Sequence, residues 1–71
     1  MVKSYYLNKQ EQPEGEHEVH ASDCKYFPAK KNAEYLGEFE DSLPAVVLAS
    51  HLHPNWSVNG CRHCCRESDT D

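Results

Sequence analysis

Cys61-Arg62-His63-Cys64 sets two thiols two residues apart near the end of the chain, and His20-Ala21-Ser22-Asp23-Cys24 sets an imidazole and a thiol three residues apart near its start. One imidazole and three thiolates make a complete tetrahedral set for zinc, whose nitrogen and sulfur ligands bind at about 2.0–2.3 Å. A two-residue spacer lets both cysteines of one turn reach a single ion. His20 at the end of a strand, with Cys24 just past it, can do the same from a second turn. Between Cys24 and Cys61 lie 36 residues. An ion held by His20, Cys24, Cys61 and Cys64 would clamp that body at both ends, so binding would be coupled to folding.

Other chemistries compete for the same residues. Four cysteines can form two disulfides, but the chain lacks secretory features, and cysteines at this spacing in a cytosolic protein favour metal. Cys61 and Cys64 can form a redox pair, although such pairs usually sit at a strand-to-helix turn rather than after a helix. Cys65 has three open roles: a spare buried thiol, a ligand in place of His20, or a reactive nucleophile. Adjacent cysteines seldom reach one ion comfortably, which favours the His20 set over an all-cysteine one. Arg62 and Arg66 flank the thiolates with positive charge, and Glu18 is placed to support the His20 imidazole or simply to face solvent. His17, His51, His53 and His63 stay outside the set.

Several short elements must position these ligands. Val2 to Leu7 and Glu16 to His20 alternate as strands, joined by a polar turn from Asn8 to Gly15 that contains Pro13. Alternation puts His20 with Glu18 on one face and His17 with Val19 on the other. Lys25 to Ala33 is a basic, aromatic connection. Tyr35-Leu36-Gly37-Glu38-Phe39 reads as a short strand with Tyr35 and Phe39 on one face and Gly37 leaving room there. Asp41 and Ser42 suit a helix N-cap and Pro44 a first turn. The helix is expected from Leu43 to about Leu52, with Ala45, Val46, Ala49 and Leu52 along one side and Val47 and Leu48 widening the stripe. Pro54 stops it, and Asn59-Gly60 reads as a tight turn presenting Cys61. The expected fold is α+β, a small antiparallel sheet with one main helix and a zinc staple, formed by residues 1–66. Residues 67–71 read as a frayed acidic tail.

Composition bounds the function. A chain of 71 residues is one small domain, and 38% hydrophobic content gives it a thin core that needs a staple. Its formal charge of −5 disfavours nucleic acid and anionic membrane as partners. No stretch approaches the roughly 18 apolar residues of a membrane span. The opening residues lead straight into polar sequence, unlike a signal peptide, so a cytoplasmic location is expected. There is no glycine-rich phosphate loop, nucleophilic serine motif or positioned acid pair to suggest an enzyme.

Val19-His20-x3-Cys24-x-Tyr26, Tyr35-Leu36-Gly37-x-Phe39, the Ala45-Val46 helix and Asn59-Gly60-Cys61-x2-Cys64-Cys65 together resemble a group of small bacterial proteins. Those are in turn similar to the metal-binding domain of the Ada DNA-repair protein. The likeness runs from about residue 16 to residue 66. It implies an Ada-like zinc domain, in which one zinc-bound cysteine accepts methyl groups from DNA phosphotriesters. The acceptor is the first cysteine of the first ligand pair, a position held here by His20, whose imidazole cannot play that part. The resemblance therefore implies the metal site without the reaction.

Three functional classes follow. The leading expectation is a non-enzymatic structural-zinc domain that binds a protein partner, through Val47, Leu48 or Trp56 if these are exposed. Trp56 packed in the core beside the helix is the plainer reading. The alternatives are nucleic-acid binding or alkyl acceptance after the Ada pattern, aided by Lys25, Lys30, Lys31, Arg62 and Arg66, and a thiol redox or metal sensor built on Cys65.

Overall fold

The computed structural model describes residues 1–69; Thr70 and Asp71, the end of the expected tail, lie outside the described residues. Four strands form one sheet in the order β3-β1-β2-β4, with β1 at Lys3–Asn8, β2 at Glu16–Ala21, β3 at Ala33–Phe39 and β4 at Ser57–Gly60. One helix, α1, spans Ser42–Leu52. The α+β class stands, but the sheet is mixed rather than antiparallel. β1 runs antiparallel to both β2 and β3, whereas β4 pairs parallel to β2. The cause is the long path between them. After β2 the chain crosses to the far edge, forms β3 and α1, and returns in the direction of β2, as parallel pairing requires.

The core lies between α1 and one face of the sheet, where Tyr5, Leu7, Val19, Ala21 and Leu36 meet Ala45, Ala49 and Cys65. Ser42, Ala45 and Ala49 form the buried stripe of the helix. Leu52, expected on that stripe, is the last helical residue and stays half-exposed. Asp41 caps the helix, its carboxylate accepting the Leu43 N–H at 2.9 Å. Replacing it in Asp41→Ala is expected to lower unfolding stability by about 1 kcal/mol, read from the denaturant midpoint.

Three other expectations change. Tyr35 and Phe39 do not share a face. Tyr5 pairs with Gly37 and Tyr6 with Tyr35, so Leu36 is an extra residue in β3 and the alternation flips across it. Gly37 absorbs the distortion at φ 129°, a conformation that favours glycine. Phe39 consequently joins Tyr5 on the core side, and Tyr35 joins Tyr6 on the opposite side.

Asn59 and Gly60 are the last residues of β4 rather than a turn. The pairing continues one step, the Cys61 N–H donating to the Val19 carbonyl at 3.0 Å. Gly60 is needed there for proximity, because a Cβ would stand 1.9 Å from the Ser68 hydroxyl oxygen and 2.7 Å from the Cys65 carbonyl.

The segment expected to begin the frayed tail is packed. Arg66–Ser68 forms a 3-10 turn with Ser68 buried. The Glu67 carboxylate accepts both the Ser42 N–H, at 3.0 Å, and the Ser42 hydroxyl. These bonds hold the Glu67 carboxyl below its ordinary range and place a negative charge at the positive end of α1. A polar sequence stays ordered here because it satisfies the free N–H groups of a helix start.

Candidate metal centre

His20 occupies the end of β2, and Cys24 follows in a tight turn closed by its own N–H donating to the Ala21 carbonyl at 3.0 Å. Cys61 and Cys64 sit in the turn after β4, closed by the Cys65 N–H donating to the Cys61 carbonyl at 2.7 Å. Because β2 and β4 lie side by side and parallel, both strands deliver their following turns to the same end of the sheet. That register converges the two halves of the site: the donor atoms of His20, Cys24, Cys61 and Cys64 all lie within 4.8 Å of one another. The four residues singled out by spacing are thus brought together, in an arrangement that can hold a metal ion.

The environment suits metal ligation. His20 is 2% exposed, yet among the described residues neither ring nitrogen has a hydrogen-bond partner. A buried imidazole ordinarily satisfies its polar atoms, so an orphaned one among three thiols fits an ion better than packing. Burial, with a smaller contribution from the charge of His63, lowers its pKa and favours the neutral ring, the form able to ligate. Glu18 shares its face as alternation required, with Oε1 3.6 Å from His20 Nε2.

The thiols receive backbone hydrogen bonds. Tyr26 N–H donates to Cys24 Sγ and Ala21 N–H to Cys64 Sγ, each at 3.4 Å. The backbone of His63 and Cys64 favours the Cys61 thiolate, against the larger effect of burial. Arg62 and Arg66, expected to neutralise the thiolates, are exposed. Peptide dipoles therefore supply stabilisation that the sequence suggested from side chains.

All four cysteines are free, and Cys24 Sγ stands 3.9 Å from Cys61 Sγ. Burial raises the Cys24 thiol and pushes Cys61 up to about 12, while contact with Cys65 and then burial raise Cys64. In the metal-free protein these groups keep protons that the unfolded chain sheds near pH 9. Between roughly pH 9 and 12 the folded form holds more protons, so stability is full below that window and falls as pH rises through it. Whatever folded fraction survives chelation is expected to shrink steadily above pH 9, read as a loss of near-ultraviolet circular dichroism. With metal bound the thiols are already ionised, and this alkaline loss should disappear.

Cys65 lies outside the cluster of four. It is fully buried in the apolar core, with Sγ 3.6 Å from Cys64 Sγ. Its packing describes a core thiol, one of its three sequence readings. His63 and Tyr26 lie beside the centre with ring centroids 4.2 Å apart.

His17, Trp56 and His53 form a stack away from the centre. Both imidazoles lie parallel to the indole, at 3.8 and 3.9 Å, and His53 Nε2 reaches Glu34 Oε1 at 2.7 Å. Trp56 is half-buried between them. Alternation had placed His17 on the face of Val19, but only the approach of the Pro54 turn to β2 reveals the stack. Among the described residues, no helix is long and apolar enough to cross a membrane. Compared with known proteins, the chain matches no family model, no curated protein and no solved structure.

Proposed function

We propose that this chain is a small zinc-stabilised domain that performs no catalysis and serves as a protein-interaction module. The observation that carries the reading is the set of four donors within 4.8 Å of one another, drawn from both ends of the chain. Four protein ligands fill a zinc tetrahedron and leave no position for reacting water, which is the mark of a structural site. Sulfur atoms on one tetrahedral zinc stand about 3.8 Å apart given the usual bond length, close to the 3.9 Å between Cys24 and Cys61. Three cysteines with one histidine suit zinc, and the ion ties the loop after β2 to the turn after β4.

The partner reading is supported by the outer side of α1. Leu43 is 49% and Val47 58% exposed, and four residues apart they lie one above the other. Leu52, 50% exposed, extends the apolar surface at the helix end. Grouped apolar side chains on a small domain mark interaction sites. Of the three partner candidates, Val47 is open, whereas Leu48 and Trp56 pack against the core.

Elemental analysis with native mass spectrometry tests the metal: one zinc per chain is expected, with its affinity sharply reduced in His20→Ala. Unchanged affinity in that variant would overturn the ligand set, and a folded protein that takes no zinc would overturn the proposal. Affinity capture comparing the native chain with Val47→Glu tests the partner surface. Proteins held by both alike would count against the helix.

A further inference from the structure

The sheet face opposite α1 carries a second cluster, beside the metal ligand His20, which pairs across from Tyr6 on this face. Tyr6 points away from the core residues Tyr5 and Leu7 and pairs across to Tyr35, the ring centroids 5.2 Å apart. Phe27, from the connection between β2 and β3, meets Tyr6 edge-on at 5.1 Å. Tyr35 nonetheless remains 54% exposed. A cavity of about 410 Å³ opens among Tyr6, Ser22, Phe27, Lys30 and Ala33.

Charge is segregated around this cluster. Residues 24–33 contain Lys25, Lys30 and Lys31 and no acid, in a chain whose formal charge is −5. All three lysines are exposed. The acids of β2 on this face, Glu16 and Glu18, line a different groove beside the metal centre. On β3 itself Glu38 shares this face, opposite Ser4 and at the far end from Lys30 and Lys31, so an anionic ligand is confined to the end of the β1–β3 pair nearest those lysines.

Exposed aromatic rings with adjoining lysines offer flat π surfaces and cations together. Single-stranded nucleic acid uses both, stacking unpaired bases on aromatic side chains while its phosphates meet the cations. A duplex hides its base faces, and an acidic peptide would use the lysines while leaving the rings without a planar partner. We infer that this uncovered sheet face binds a short single-stranded nucleic acid, with a base stacked on Tyr35 and adjoining phosphates held by Lys30 and Lys31. The inference goes beyond the protein-binding reading: it concerns the opposite face and uses none of the metal ligands.

Fluorescence anisotropy of labelled oligothymidylate and oligouridylate, titrated with the metal-loaded full chain, tests it. Binding is expected to weaken with salt at a log–log slope of about −1.4, as contacts from Lys30 and Lys31 to a single strand would give. Tyr35→Ala should weaken it on the order of tenfold, and Tyr35→Phe, which keeps a ring, should restore it. Lys30→Glu combined with Lys31→Glu should lower affinity and flatten the salt slope. These positions are exposed, so thermal unfolding should stay near that of the native chain. The inference is overturned by absence of binding at low salt, by equal affinity for duplex of the same length, or by indifference to Tyr35→Ala. Displacement of the oligonucleotide by polyglutamate as readily as by unlabelled oligonucleotide would also overturn it.

Discussion

Chelation should remove most of the cooperative unfolding transition of this protein. Structural zinc in small domains contributes an apparent binding free energy of about 10–16 kcal/mol at neutral pH, whereas whole domains are stable by only about 5–15 kcal/mol. The core available without metal is small. Its largest fully buried aliphatic side chains are Leu7 and Val19, and the helix contributes alanines. Without an ion the His20 imidazole is buried with neither ring nitrogen hydrogen-bonded among the described residues, and three thiols cluster beside it. Near-ultraviolet circular dichroism during a thermal ramp, with and without chelator, measures the effect. A broad, non-cooperative loss of signal is expected in the metal-free sample, and sharp recovery on adding zinc. Identical melting curves would remove the staple from the account of this fold.

Gly60→Ala should be the most damaging single methyl in the chain, costing about 3 kcal/mol. The added carbon would meet the Ser68 hydroxyl at 1.9 Å, the Cys65 carbonyl at 2.7 Å and the Ser68 carbonyl carbon at 3.0 Å. A hydroxyl can rotate away, but the other two atoms are backbone. They belong to the segment that carries Cys64 and caps α1 through Glu67. Pushing that segment outward separates the helix start from β4 and disturbs the turn next to Cys61. For a domain of this size the loss corresponds to a fall in melting temperature of about 12–24 °C, and zinc affinity should drop with it. Gly37→Ala provides a comparison, since its strain is conformational and far from the ligand turns. Loss of zinc affinity in Gly60→Ala but not in Gly37→Ala would tie the close approach to the metal site.

Much of this arrangement was legible in the residues themselves. The pairing of His20-x3-Cys24 with Cys61-x2-Cys64 rests on short spacers that turn geometry constrains tightly, and the four side chains do converge. The strand segments and helix start were equally local, carried by alternation, Asp41 and Pro44. What escaped was non-local. The direction of β4 depends on the path of the intervening chain, which no five-residue pattern encodes. The bulge at Leu36 inverts one face of β3, and its position is set by the pairing with β1. Asn59-Gly60 has the composition of a turn, yet its glycine serves a neighbour eight residues away. Glu67 and Ser68 look like tail because their partner, the first turn of α1, lies 25 residues earlier.

The parallel pairing of β2 with β4 has a kinetic corollary. Neither strand can recognise the other until the intervening chain has closed a loop, an entropic cost met before the pairing gives anything back. Zinc bound early, first by Cys61 and Cys64 within one turn and then by His20 and Cys24, would close that loop ahead of the sheet. The ion would then act as a nucleation point as well as a staple: the refolding rate measured in zinc should rise with zinc concentration.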